Sequence, residues 1–258
     1  MKEKKQTKQF FERLMLFCLI LFSGLFFYSL FKIVQWQMSV KENKDVQETI
    51  EKSIQMIQAQ SGDEENAFLI DFESLKEMNS DIVGYLSIRN TDISYVVVKG
   101  RDNQYYLNHN FNKNYNIAGW IFADYKNRFD GQDKNIVIYG HNMKDKSMFG
   151  TLKNVLTKEW LENQDNQKIA FVTPKQTEYY QIFSCYEIEA EDYYIQTEFA
   201  SDSEYEEFLK TISSRSIYDF QIVVNHQDSI ITLSTCTDDG QKRIVVHAKK
   251  NIEEQTIQ

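Results

Sequence analysis

At 258 residues the chain can form one or two domains with a full-sized core. Hydrophobic residues make up 42% and aromatics 14%, which excludes a disordered chain, and a single proline with nine glycines excludes collagen-like and linker-rich classes. The net charge of −9 argues against nucleic acid as a partner.

Positive charge is concentrated at the start. The first thirteen residues hold five Lys/Arg and two Asp/Glu, a net of +3, so the rest of the chain carries −12. Leu14 to Phe31 then contains no charged residue, and apolar character continues past Lys32 to Val34. At about 1.5 Å per residue such a run spans roughly the hydrocarbon core of a bilayer. Lys4, Lys5, Lys8 and Arg13 would hold the N-terminus on the cytoplasmic side, with the body outside. The length of the run, and the lack of a small-residue cleavage site after Phe31, favour an uncleaved anchor over a signal peptide. The expected organisation is a cytoplasmic tail over 1–13, a transmembrane anchor over 14–34, a helical stalk over 35–67 and a folded body over 68–258.

In the stalk, Val46, Ile50, Ile54 and Ile57 fall on one helical face. The polar stretch Ser61 to Asn66 reads as a break, with the body starting near Phe68. Phe72, Leu75 and Met78 suit a second short helix. Strands dominate from Ile82 onward. Val83–Ile88, Ile93–Val98, Gly119–Ala123, Ile136–Tyr139, Ile169–Val172, Tyr179–Ile188, Ile222–Val224, Ile230–Thr235 and Ile244–Ala248 all read as strands, and Tyr105–Leu107 follows a polar turn among them. Phe149–Leu156 looks helical, and Ser203–Ile212 is an amphipathic helix with Tyr205, Phe208, Leu209 and Ile212 on one face. Many short strands with few helices predict a mostly β barrel with helical decorations.

Three cysteines, one of them (Cys18) in the apolar N-terminal run, do not make a disulfide framework, and no CxxC or Cys/His cluster indicates zinc. Cys185 sits mid-strand and reads as a small buried hydrophobe. Cys236 is different, because it ends a strand. Asp238-Asp239-Gly240 marks a turn, and Arg243 opens the next strand. Adjacent antiparallel strands would set a guanidinium beside the thiol and favour the reactive thiolate. A nucleophilic cysteine needs a proton acceptor, usually histidine. Of His109, His141, His226 and His247, only His141 ends a strand as Cys236 does, after Gly140. His247 lies within the last strand, where a structural histidine is the default. A thiol beside a cation alone fits a redox cysteine or a protease equally well.

The full set of motifs resembles the class B sortases. Asp-Ile-Val-Gly-Tyr-Leu at 81–86, Tyr-Tyr-Leu-Asn-His at 105–109, Tyr-Gly-His-Asn-Met at 139–143, Met-Phe-Gly-Thr-Leu-Lys at 148–153, Thr-Leu-Ser-Thr-Cys at 232–236 and Arg-Ile-Val-Val-His-Ala-Lys at 243–249 carry the resemblance, which runs from about Phe68 to Lys249. Val96 stands where many relatives have proline, Trp120 stands where a small residue is usual, and the Cys236–Arg243 loop is short. The resemblance implies an eight-stranded sortase-type β-barrel with N-terminal helices and a helix inserted before the strand leading to the cysteine.

It further implies a membrane-anchored cysteine transpeptidase on the outer face of a Gram-positive membrane. Cys236 would be the nucleophile, His141 the acid/base and Arg243 the positioning cation. Substrate would be a surface protein with a C-terminal sorting motif, often of Asn-Pro type in this class and cleaved after threonine. The acceptor would be a peptidoglycan cross-bridge amine or a pilin lysine. Ser234 and Thr235 beside the cysteine, Tyr194 and Ile195 before the inserted helix, and Asn103 and Leu107 on the far side would line the groove. No cofactor or metal is expected, and Glu187, Glu189, Glu191 and Asp192 read as a solvated edge. A papain-like protease is disfavoured, because Cys236 follows the histidine in the chain and ends a strand. A catalytically silent surface-binding protein on the same barrel is the reading from a different class.

Overall fold

The computed structural model describes residues 2–61, 70–237 and 240–251. The chain forms two compact units, Met1–Lys44 and Asp45–Gln258. Helix α1 (Lys2–Ser61) covers the described part of the expected tail, anchor and stalk. In the first unit its large apolar side chains, Phe17, Phe22 and Phe27 among them, are exposed, and by length and composition the helix is able to cross a membrane. In the second unit the predicted stripe is used for packing. Val46, Ile50 and Ile54 are buried in the main core, and Gln47 Nε2 donates to the Ser94 carbonyl at 2.6 Å. The Ile57 side chain, and most of the break expected after Ser61 with the body's start near Phe68, lie outside the described residues.

Helix α2 (Phe72–Met78) starts where the Asp71 carboxylate accepts from the Glu73 and Ser74 amides, satisfying donors that the first turn leaves open. It buries Phe72 and Leu75 but leaves Met78 44% exposed, so the third predicted core position faces outward.

Eight strands close a barrel: β1 (Ile82–Ile88), β2 (Ser94–Val98), β3 (Phe122–Ala123), β4 (Asn135–Tyr139), β5 (Lys168–Val172), β6 (Thr177–Glu189), β7 (Ile230–Cys236) and β8 (Lys242–Asn251). Their order is β1-β2-β3-β4-β7-β8-β6-β5. Strand β4 pairs parallel with β7, and a parallel pair requires a crossover. That crossover contains β5, β6, the short helix α3 (Lys158–Leu161) and helix α4 (Asp202–Ser214). The Ser201 hydroxyl accepts from the Glu204 amide, and the Glu204 carboxylate reaches back to the Ala200 amide, which fixes the start of α4.

Several sequence expectations change in detail. Tyr105–Leu107 and Leu152–Leu156 are 3-10 turns, and the Gly119–Ala123 strand shrinks to two residues. Ile222–Val224 pairs with no strand. Its alternation arises because Ile222 and Val224 lean on a core while Val223 is 82% exposed. Trp120 and Val96, the two packing departures from the family pattern, meet each other: the buried indole N–H donates to the Val96 carbonyl at 2.9 Å.

The wall formed by β4, β7, β8 and β6 has the main core on one side and, over β7, β8 and β6, a second core on the other. Successive strand residues point to opposite faces. Ile231, Leu233, Ile244, Val246 and Ala248 face the barrel interior, while Ile230, Val245, Tyr186 and Ile188 face a second core closed by Tyr205, Phe208, Leu209 and Ile212 of α4. The four α4 residues predicted from periodicity are the ones buried there.

Candidate active site

Two registers bring the predicted residues to one end of this wall. Cys236 pairs directly with Arg243 across β7 and β8. On the other side of β7, Tyr139 pairs with Ser234, and the Gly140 amide donates to the Ser234 carbonyl at 3.3 Å. Both chains leave the sheet just beyond, one through His141 and the other through Cys236. By parity Cys236, Ser234 and Arg243 share the face that carries the second core. Thr235 has the opposite parity, and its buried hydroxyl has no hydrogen-bond partner.

Gly140 serves this exit by close packing. Its φ is not in the left-handed region, but a Cβ there would lie 2.8 Å from Phe149 Cγ and also meet Ile121. His141 Nε2 lies 2.7 Å from the Leu107 carbonyl. A carbonyl only accepts, so Nε2 carries a proton and Nδ1 is the nitrogen that can exchange one. Leu107 therefore contributes its backbone as well as its half-buried side chain. Its segment is held in turn by Gly119, whose φ of +56° and open Cα let it sit against the Tyr106 and Leu107 carbonyls.

The other histidines are engaged elsewhere. His109 stacks on Tyr105 with ring centroids 4.0 Å apart. His226 meets Glu206 at 2.8 Å on the surface. His247 is fully buried, between Tyr186 and Thr232. The cysteines separate as well. Cys185 and Cys236 are both free thiols, and burial pushes the Cys185 thiol up to about 12, which suits an inert core residue. Cys236 is partly exposed. Arg243 Nη1 donates to the Gly240 and Lys242 carbonyls, at 3.3 and 3.0 Å, and so curls the strand connection around the guanidinium.

Tyr194 sits over the site in a 3-10 turn, Tyr193–Ile195, and its hydroxyl is 3.0 Å from Ser234 Oγ. Burial pushes the Tyr194 phenol up, opposed by the Ser234 bond and the Arg243 charge, while the Cys236 sulfur acts in the same direction as burial. Those effects mark Tyr194 as a neighbour of both Arg243 and Cys236. Ile195 packs half-buried on the second core. On the far side, Asn103 is fixed in orientation. Its Nδ2 donates to Asp124 at 2.7 Å, and its Oδ1 accepts from the Tyr125 amide at 3.0 Å.

Asp124 and the Tyr139 side chain are absent from the site residues expected from the sequence. The Asp124 carboxylate is 3% exposed and also accepts from the Tyr139 hydroxyl at 2.8 Å. It thereby links the Asn103 loop to the strand that leads to His141. The available signal was an acid directly after the apolar run Trp120–Ala123. Among the described residues no group of His, Cys, Asp and Glu side chains is arranged to hold a metal ion.

The chain is similar to known proteins in both sequence and structure. A sortase-domain family model matches residues 86–251. Sortase B of Listeria monocytogenes is 35% identical over 231 residues, covering 88% of this chain and 92% of the relative. A structure described as a Staphylococcus aureus sortase B–substrate complex superposes with a TM-score of 0.74 at 33% identity, covering 83% of this chain and 98% of that one. A sortase B complexed with triglycine gives a TM-score of 0.73 at 32% identity, covering 82% and 98%.

Proposed function

The chain belongs to the sortase family of cysteine transpeptidases, in its sortase B branch, and we propose that Cys236, His141 and Arg243 carry its reaction. The observation that carries the assignment is the double register. The Cys236–Arg243 pair and the Tyr139–Ser234 pair leave thiol, guanidinium and imidazole at one end of one wall.

The Cys236 thiolate attacks the carbonyl carbon of a threonine in a sorting motif, forming a C–S bond. The tetrahedral oxygen gains charge, and Arg243, paired with Cys236 across β7 and β8, is the cation assigned to balance it. A preorganised donor of this kind is worth roughly 3–4 kcal/mol. Collapse breaks the C–N bond. The departing amine takes the proton that His141 Nδ1 received from the Cys236 thiol when the thiolate–imidazolium pair formed, while Nε2–H stays bonded to the Leu107 carbonyl. The product is a thioester on Cys236. An incoming amine gives its proton back to His141, attacks the thioester and releases the thiolate. One amide is exchanged for another, so no external energy source is required.

Ser234, Tyr194, Ile195, Asn103 and Leu107 are assigned to the groove for the motif, which Thr235 can meet only through its backbone, since its buried side chain has the parity of the barrel interior. A substrate and triglycine are the ligands named for the two sortase B complexes, which supports a peptide donor and an amine acceptor here. We assign the acceptor to a cell-wall cross-bridge and the donor to a surface protein. The exposed apolar helix in the first unit supports a single-pass anchor with the N-terminus cytoplasmic and the catalytic body outside.

Incubating the full chain with an Asn-Pro-type peptide library and candidate amines, then reading products by mass spectrometry, tests these points together. A peptide–triglycine conjugate is expected, with a thioester adduct on Cys236. A conjugate to a lysine peptide in its place would redirect the acceptor to pilin. Cys236→Ala should abolish cleavage with the fold intact, and surviving turnover would remove Cys236 as nucleophile.

A further inference from the structure

His247 is the most deeply buried ionisable group beside the site, and the reaction does not use it. Its partners form a chain whose direction can be assigned atom by atom. Asn135 Nδ2 donates to the Gln196 carbonyl at 2.9 Å, which fixes the amide orientation. Asn135 Oδ1 therefore accepts, and its donor is the Thr232 hydroxyl at 2.7 Å. With its proton committed, that hydroxyl accepts from His247 Nδ1 at 2.8 Å. The opposite nitrogen, Nε2, then accepts from the Tyr186 hydroxyl at 2.8 Å. Tyr186 in turn accepts from the Tyr193 hydroxyl at 3.1 Å. Every donor points the same way, an arrangement in which each bond polarises the next.

The chain crosses four neighbouring strands in spatial order: β6 (Tyr186), β8 (His247), β7 (Thr232) and β4 (Asn135). Asn135, Thr232, His247 and Tyr186 are almost entirely buried. It begins on Tyr193 and ends on Gln196, so both ends lie on one short segment between β6 and α4. Tyr194 sits between those ends, bonded to Ser234 two residues before Cys236. The Arg215 guanidinium also covers the Tyr193 ring at 4.6 Å.

We propose that His247, with Tyr186 and Thr232, is a positioning residue for substrate recognition: it clamps the 193–196 segment at both ends and so holds Tyr194 and Ile195 over the groove. This rests on the assignment of that segment to the groove. The relay requires a neutral imidazole, since a proton on Nε2 would leave no acceptor for Tyr186. Burial pushes the His247 imidazole down to about 3, so the ring is neutral across the working range.

The test uses the full chain in detergent with an internally quenched peptide carrying an Asn-Pro-type motif. Tyr186→Phe and Thr232→Val cut the circuit on either side of His247 while keeping shape. Each should raise KM about three- to tenfold with kcat within about twofold, and the double variant should be no worse than the weaker single, because one circuit is lost only once. Hydrogen exchange over 190–200 should accelerate while α4 stays protected. The alkylation rate of Cys236 by iodoacetamide should not change. Tyr193→Phe, which removes only the outermost hydroxyl, serves if a buried variant fails to fold.

Unchanged KM with a lowered melting temperature would reduce the circuit to a stability element and overturn the proposal. Faster exchange at 190–200 without a KM change would remove the segment from recognition, with the same result. Neither outcome touches the Cys236 assignment, which the Cys236→Ala variant tests separately.

Discussion

Asp124→Asn is the most informative single substitution outside the reacting groups. The carboxylate accepts three hydrogen bonds: from Asn103 Nδ2 at 2.7 Å, from the Tyr139 hydroxyl at 2.8 Å and from the Lys126 amide at 2.9 Å. The first two arrive on one oxygen and the third on the other. An asparagine has the same shape but only one accepting end. If its oxygen stays toward Asn103 and Tyr139, its NH2 faces the Lys126 N–H, donor against donor. The two retained bonds lose their charge assistance, about 1 kcal/mol each, and the stranded amide costs about 1–3 kcal/mol. The sum is about 3–5 kcal/mol. Turning the amide over strands two side-chain donors and costs at least as much. Urea unfolding followed by tryptophan fluorescence should show the midpoint falling with the slope unchanged. KM for the sorting peptide should rise, because Asn103 is released from its fixed orientation. A loss below about 1 kcal/mol together with an unchanged KM would refute the linking role of Asp124.

Gly119→Ala places a methyl 2.8 Å from the Leu107 carbonyl at a φ of +56°. It should cost about 1–2 kcal/mol of stability and lower kcat about tenfold by displacing the carbonyl that holds His141, as measured by peptide cleavage below the melting temperature. Gly140→Ala meets Phe149 Cγ at 2.8 Å in an ordinary backbone conformation. Its cost of about 1–3 kcal/mol should be relieved in thermal melts by a smaller neighbour, Ile121→Val. Stability should also depend on pH through His247. An unfolded histidine takes up a proton near pH 6.5, whereas the folded one does so only at about 3. The unfolded state therefore binds more protons between those values, and stability falls as pH drops, by up to about 1.4 kcal/mol per unit. Denaturant midpoints over about pH 6 to 5 should fall for the native chain and flatten in His247→Gln.

Legibility in the sequence followed the range of the interaction. Strand β7 was readable because Thr232 and Ser234 alternate with apolar neighbours, and α4 because its buried face repeats at helical spacing. The end positions of Cys236 and His141 were readable because each run stops abruptly. Strand β3 was overextended, since Gly119 to Ile121 are as apolar as a strand but run along the Leu107 segment before any ladder forms. Ile222–Val224 shows that alternation reports one-sided burial, with or without a ladder. The polar partners escaped notice because their contacts are distant in the chain. Asp124 reaches Asn103 21 residues back, and Tyr186 reaches His247 61 residues on. No local pattern encodes such a bond.

The two-sided wall has a bearing on how such a catalyst can diversify. One face of β7 is committed to the barrel interior, whose residues must fit one another. The other face carries Cys236 at its end and is roofed by a separate insert, the 193–196 segment and α4, seated on its own core. Changes to that roof leave the interior packing untouched, so, under the groove assignment proposed above, a lineage can retune what the enzyme accepts without renegotiating how it folds.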